Sequence, residues 1–372
     1  MSLQAYPEVG LDEVKPLLAK LISIPSPSQC EHEIAEFTAD LLRSMGANVS
    51  IVLASKCGPS VLAEWKFTGR GRTLLFYGHL DTVKPSQGWR QQPFKPRVEG
   101  DKVYGVGACD MKGGISALLA ALRKLPEIES DLQGSLKLAL VSDEEAYSRG
   151  FEAASSLNFF GNVDSAISVE PTGLKRLEVG RFGRIAYKVE VSSLNPKVNP
   201  IVEASKLISK VSMLSGRDFK ASVIAIDSNM DLDSNPTLCK FVVDISFRSG
   251  SFKRVESRLR SLIRRAGLKA DIEIAPHPRP TPYMEPYRLG GGEPIVSSLE
   301  KACLQVLGFK PRRVIGESAG DENYLANRFG IPTVTYGPDG GNIHGVNEYV
   351  CLSSVVKAAN IYLRALTIFL RS

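Results

Sequence analysis

Hydrophobic and polar positions alternate between two rhythms along the first half of the chain. Leu11 to Ile22 and Glu31 to Met45 place apolar residues on one face of a 3.6-residue repeat, which predicts amphipathic helices. Asn48 to Leu53, Val61 to Lys66 and Leu74 to Gly78 are short and β-rich. The last of these, like Leu136 to Val141 and Ala166 to Val169, is apolar without alternation. Such runs, bounded by turns, predict strands buried on both faces. A helix is predicted from Gly113 to Leu125. Helices interleaved with strands imply a helix-covered, mainly parallel or mixed sheet.

The rhythm changes in the middle. Arg184 to Val191 alternates as a strand and Pro200 to Met213 is helical. Ala221 to Asp227 and Lys240 to Phe247 are strands, Phe252 to Arg265 is helical, and Asp271 to Ala275 is a strand. This is the β-α-β-β-α-β order of a ferredoxin-like domain. The proline-rich stretch from Pro276 to Pro282 reads as a stiff return linker. After it come a helix from Pro294 to Leu307, a strand near Thr333 and a last helix from Ser353 to Leu370. The expected organisation is an α/β domain built from residues 1–180 and 279–372, with residues 181–278 inserted into it.

Composition narrows the class. The chain has 372 residues, 43% of them hydrophobic and 23% charged, which suits a globular enzyme of two domains. No apolar run reaches the roughly 18 residues that span a bilayer, so no membrane partner is expected. The N-terminus lacks a basic stretch followed by an apolar one, so no secretory signal is expected. The net charge of +6 is mild. The densest basic cluster, Lys253 to Arg265, carries no interleaved aromatic residues for base stacking, so it reads as a solvated helix face and no nucleic acid is expected. None of the six cysteines forms a CxxC pair. That argues against a zinc ribbon or a disulfide scaffold, and scattered, mostly buried thiols point to the cytoplasm.

The chemistry lies in five candidate metal ligands, each taken to follow the end of a predicted buried strand: His79, Asp110, Glu145, Glu170 and His344. In open α/β sheets ligands bind beyond the carboxyl ends of the strands. Imidazole and carboxylate donors converging there suit a zinc-type ion and a metal-dependent hydrolase. Asp81, two residues after His79, is a candidate acceptor for the second ring N–H of a ligating histidine. Asp110 stands just before a helix among glycines, and its two oxygens allow one carboxylate to bridge two cations. In Asp143-Glu144-Glu145, one glutamate can ligate while its neighbour serves as general base. Of four histidines, His32 falls on a polar helix face and His277 in the proline stretch, which leaves His79 and His344.

Tyr77 to Val83, Trp89 to Phe94, Tyr104 to Gly114, Asp143-Glu144-Glu145, Val169 to Thr172 and Gly337 to Val350 together resemble one family, in order and over nearly the whole chain. It is the family of acetylornithine deacetylase, succinyl-diaminopimelate desuccinylase, aminoacylase and glutamate carboxypeptidase. The resemblance implies two divalent metal ions, zinc first, with cobalt or manganese as alternatives. It implies that His79, Asp110 and Glu170 hold one and Asp110, Glu145 and His344 the other. It further implies that Glu144 is the general base, that Asp81 orients His79, and that the peptide bond after Asp110 is cis. The inserted domain matches that family's lid or dimerisation domain, which leaves a homodimer open. Arg248 matches the position that clamps a substrate carboxylate, and a guanidinium suits that task through paired hydrogen bonds. Asn235 stands where relatives carry a lid asparagine. One departure is the stretch Val191 to Pro200, which lacks the histidine that relatives carry after the first lid strand; Asn195 and Lys197 are candidate substitutes.

The expected function is hydrolysis of the amide bond of a small N-acyl amino acid, of the deacetylase or desuccinylase type in amino-acid biosynthesis. A dipeptidase or carboxypeptidase with the same centre is the runner-up. A hydrolase releasing lysine or ornithine from a carrier protein is a third reading. A weakly catalytic metal-binding regulator is a fourth.

Overall fold

The computed structural model describes residues 6–228 and 235–371. The chain forms two compact units. The first holds the chain up to Gly180, Leu289–Val314 and the chain from Tyr324 onward; the second holds Arg181–Arg288 and Ile315–Asn323.

The first unit is built on a mixed sheet. Asn48–Leu53, Pro59–Lys66, Ser135–Val141, Thr73–His79, Ser165–Ser168, Thr333–Thr335 and Arg176–Arg181 lie side by side in that order. Thr73–His79 pairs in parallel with Ser135–Val141 on one side and with Ser165–Ser168 on the other. Pro59–Lys66 is antiparallel to Ser135–Val141. Thr333–Thr335 runs parallel to Ser165–Ser168 and antiparallel to Arg176–Arg181. Every residue of Thr73–His79 is buried, which is why its sequence shows no polar alternation. The helix Gly113–Leu122 is buried along its whole length and packs against Leu11–Ser23 and Leu352–Leu370. A helix that is apolar all round is stable only in such a place. Elsewhere Phe151 and Phe160 stack with ring centroids 4.8 Å apart, a preferred aromatic geometry. A small antiparallel sheet joins Gly340–Gly341, Tyr349–Cys351, Lys102–Tyr104 and Arg97–Glu99 in that order.

The second unit has the ferredoxin-like order. Gly183–Ser192, Pro200–Val211, Phe219–Ser228, Leu238–Phe247, Phe252–Ala266 and Asp271–Pro276 follow one another as β-α-β-β-α-β. The sheet runs Phe219–Ser228, Leu238–Phe247, Gly183–Ser192, Asp271–Pro276, every pair antiparallel. Alternate residues of the central strands, among them Val189, Val191, Phe241 and Val243, meet Leu207 and Leu259 from the two helices in one apolar core. The Asn199 side chain accepts the Ile201 N–H at 2.9 Å and opens the first helix, with Pro200 at its first position.

Two expectations need correction. The second unit extends past residue 278. The Pro276 to Pro282 stretch turns back on its own unit: Arg184 and Met284 exchange backbone hydrogen bonds at 2.8 and 3.2 Å. The buried Asn323 amide then donates to the carbonyls of Phe182 and Glu285 at 3.0 and 2.8 Å, which draws the later segment into the same unit. The cysteines, read as mostly buried, divide evenly: Cys109, Cys239 and Cys303 are buried, Cys57 and Cys351 half-buried, and Cys30 exposed. All six are free thiols. Among the described residues no helix is long and apolar enough to cross a membrane.

Candidate active site

Strand register brings the ligands together. His79 ends its strand opposite Val141, and Tyr77 stands opposite Ser168. The three parallel strands therefore finish at one level, and the chain beyond them delivers Asp81, Glu144, Glu145 and Glu170 to one end of the sheet. The Glu170 backbone passes very close to its neighbours. A Cβ on Gly114 would lie 1.9 Å from the Val169 carbonyl oxygen, and one on Gly337 would lie 2.4 Å from that of Glu170. Only glycine permits those approaches.

Asp110 departs from the expected placement. It does not close a strand of the main sheet but sits in a π-helical turn, Ala108–Lys112, that leads into the buried helix. Its peptide bond to Met111 is cis. His344 lies on the loop between Gly340–Gly341 and Tyr349–Cys351, in the left-handed backbone region at φ 61°, an uncommon conformation for a residue other than glycine.

The five candidates meet. His79 Nε2 lies 3.1 Å from Asp110 Oδ1 and 3.5 Å from Glu170 Oε1. His344 Nε2 lies 3.3 Å from Asp110 Oδ2 and 2.9 Å from Glu145 Oε1. His79, Asp110 and Glu145 each offer a donor atom within 4.8 Å of the others. The two oxygens of Asp110 thus face different histidines.

Asp81 does more than its spacing from His79 implies. The group closest to His79 Nδ1 is the Asp81 carbonyl, at 2.9 Å; its carboxylate lies 3.5 Å away. That carboxylate accepts the Glu144 N–H at 3.1 Å, the Glu145 N–H at 3.2 Å and the Ser28 hydroxyl at 2.8 Å. It therefore fixes the turn that presents both glutamates. Asp143 is buried and structural: it pairs with Arg149 at 3.1 Å, and its carbonyl accepts the Ser148 N–H at 2.6 Å.

Three buried groups near the site carried no sequence signal. Glu31 accepts the Gly58 and Asp143 N–H groups, each at 3.1 Å. Lys112 donates from Nζ to the Ile24 carbonyl at 2.8 Å. Glu348 accepts three backbone amides of the Asp110 loop. A carboxylate that reads backbone N–H groups has no characteristic spacing, so these roles become visible only in three dimensions.

The electrostatics fit cation binding. Burial works to raise the Asp110 pKa, but hydrogen bonds from His344 and His79 overcome it and hold the carboxyl well below its usual range. Burial works to lower His79, and Asp110, Asp81 and Glu170 together push it well above its usual value. Asp110 and Glu145 raise His344 to about 10. Without metal, protons on the two histidines offset only part of the charge of the converging carboxylates. The nitrogen and oxygen donor set, the shared Asp110 and this excess of negative charge are what divalent cations require.

Arg248 and Asn235 belong to the second unit. Arg248 ends near Asp218, with Nη1 3.1 Å from Oδ1. Asn235 is exposed, just outside the strand Leu238–Phe247. In the stretch without histidine, Asn195 accepts the Lys197 N–H at 3.0 Å and so is engaged in its own turn.

The model of the peptidase family M20/M25/M40 covers residues 75–368, and the chain belongs to that family. It is an enzyme, a metal-dependent hydrolase, as the resemblance in its motifs implies. A succinyl-diaminopimelate desuccinylase from Wolinella succinogenes is 26% identical over 378 residues, covering 94% of this chain and 98% of that protein. A tripeptidase structure from Staphylococcus aureus superposes with a TM-score of 0.80 at 19% identity, covering 98% of this chain and all of that one. A Bacillus subtilis protein described as a dinuclear metal binding peptidase from the M20 family has a TM-score of 0.75 at 16% identity, with coverages of 97% and 98%. The fold, with its inserted domain, is shared with both structures.

Proposed function

We propose that this chain is a di-metal amidohydrolase that releases an amino acid from a small N-acyl derivative. The observation that carries the reading is Asp110, whose Oδ1 and Oδ2 face His79 and His344 separately. In this reading His79, Asp110 and Glu170 hold one divalent cation and Asp110, Glu145 and His344 the other, with zinc first and cobalt or manganese as alternatives. Cations held there supply Lewis acidity toward a carbonyl and lower the pKa of water. Glu144 is the general base: it takes a proton from the attacking water and passes it to the leaving amine as the amide bond breaks. The Asp81 carboxylate fixes the Glu144 and Glu145 amides, while its carbonyl orients the His79 ring.

An N-succinyl or N-acetyl amino acid is the substrate class, by analogy with the desuccinylase relative. Arg248 is assigned to the substrate carboxylate, for which it would exchange Asp218, and Asn235 to the lid contact. Phe219–Ser228 is an edge strand with Ile224 and Ile226 exposed, which supports a homodimer formed through the lid. Six free thiols favour the cytoplasm.

The experiment is hydrolysis of a substrate panel by metal-stripped protein reloaded with zinc, cobalt or manganese. The panel holds N-succinyl-diaminopimelate, N-acetylornithine, N-acetyllysine and several dipeptides. Chelator-sensitive release of a free amino acid from an N-acyl member is the expected result. Cleavage of dipeptides alone would replace the substrate class. Absence of turnover with two metals bound would overturn the assignment to small N-acyl amino acids.

A further inference from the structure

Glu348 is 2% exposed and stands between His344 and the strand Tyr349–Cys351. Its Oε1 accepts the Cys109 N–H at 2.8 Å and the Asp110 N–H at 2.9 Å; its Oε2 accepts the Gly107 N–H at 2.8 Å. Its own carbonyl accepts the Gly105 N–H at 3.0 Å. One residue thus holds the whole turn from Gly105 to Asp110. The strand that follows it pairs with Lys102–Tyr104 on one edge and with Gly340–Gly341 on the other. The first neighbour leads into Asp110 and the second into His344. Glu348 therefore sits where the two loops are joined.

We propose that Glu348 is a positioning residue for the metal centre, holding Asp110 so that its two oxygens face different histidines. This rests on the reading of Asp110 as a shared ligand. Its two oxygens supply the acceptors for three backbone N–H groups, and those hydrogen bonds fix the turn. Among the described residues no strand pairs with the Asp110 turn, so its course depends on them. Replacing one oxygen by an amide NH2 sets a donor against a backbone N–H that needs an acceptor, and the turn must move to satisfy it. Because Asp110 serves both sites, displacement weakens both metals together. Loss of a ligand such as Glu145 weakens one more than the other.

The test is cobalt(II) titration of the metal-stripped full chain, followed by calorimetry and by visible absorption. It compares the unaltered protein with Glu348→Gln, Glu348→Asp and Glu300→Gln. The unaltered protein is expected to take two cobalt ions. Glu348→Gln is expected to weaken both steps by about 10- to 100-fold, the usual effect of losing a group that supports a ligand, and to alter the absorption band at full loading. Glu348→Asp, which keeps the charge on a shorter side chain, is expected to recover part of the affinity. Glu300 is also a buried glutamate but bonds Arg313 instead. Glu300→Gln should lower the thermal midpoint and leave both steps and the band unchanged.

A folded Glu348→Gln protein with the original affinities and band would overturn the proposal, and so would equal changes in Glu300→Gln. Were Glu348→Gln not to fold, unchanged binding and an unchanged band in Glu348→Asp would overturn it equally. An unaltered protein that binds no cobalt would remove the metal-site reading itself, before any variant is compared.

Discussion

His344 Nε2 lies 3.3 Å from Asp110 Oδ2, although the two residues stand far apart in the chain. The contact exists because Tyr349–Cys351 pairs with Lys102–Tyr104 and brings the C-terminal loop against the turn that carries Asp110. The site is thus assembled by strand pairing, and each of its parts can be tested separately.

Glu144 and Glu145 are adjacent but have different assignments. Glu144→Gln should retain two metals and lose about 100- to 10,000-fold in turnover, the range for a general base. Glu145→Ala and His344→Ala should each lose metal. Metal analysis beside steady-state kinetics separates the cases. Metal loss in Glu144→Gln equal to that in Glu145→Ala would remove the base assignment.

Asp81→Ala removes the acceptor for the Glu144 and Glu145 amides and for Ser28. Leaving a buried donor unsatisfied costs about 1–3 kcal/mol. Urea unfolding of the metal-free protein should show a loss of at least that size, and Ser28→Ala a smaller one. Wild-type stability in Asp81→Ala would mean that water replaces the carboxylate.

Metal uptake should depend on pH well above the ordinary histidine range. In the metal-free protein Asp110 and Glu145 hold the His344 proton up to about pH 10. That protonation stabilises the metal-free fold fully below about pH 6.5, the unfolded value, and the gain is lost as pH rises through 10. A cation needs the same lone pair, so binding at neutral pH releases the proton. Cobalt affinity should therefore rise between pH 6.5 and 8.5, by about tenfold per unit for each proton released. Calorimetry in buffers of different ionisation enthalpy counts those protons. A flat affinity over that range would contradict the charge assignment.

Gly114→Ala should destabilise the first unit by about 1–3 kcal/mol or more, since its new methyl would strike the Val169 carbonyl. Glu170 follows Val169, so the folded fraction should also bind metal less tightly. Thermal unfolding with and without cobalt measures both effects.

Much of this was legible in the sequence. Runs such as Leu74 to Gly78 and Leu136 to Val141 announce strands buried on both faces, and strand ends announce where polar side chains converge. The alternation in Lys240 to Phe247 marks a sheet with one face on a core. The short strands Lys102–Tyr104 and Gly340–Gly341 were not legible, because two or three residues cannot display a period. Asp81 was found through its neighbour His79, but its hold on the Glu144 turn depends on backbone amides, which no side-chain pattern reports. The roles of Glu348 and Glu31 rest on backbone amides in the same way. The boundary near residue 278 was misplaced because proline suggests a linker, whereas here the chain after the prolines bonds back to Arg184.

The strand Thr333–Thr335 lies between Ser165–Ser168 and Arg176–Arg181, which precede it by a whole inserted unit. During synthesis the sheet must wait with that place vacant while the ferredoxin-like unit emerges and closes upon itself. His344 and Glu348 arrive only after the vacancy can be filled. Four of the five candidate ligands are therefore made long before the fifth, and a nascent chain cannot complete the position proposed to use His344 early. Assembly of the centre becomes a late event, tied to closure of the sheet.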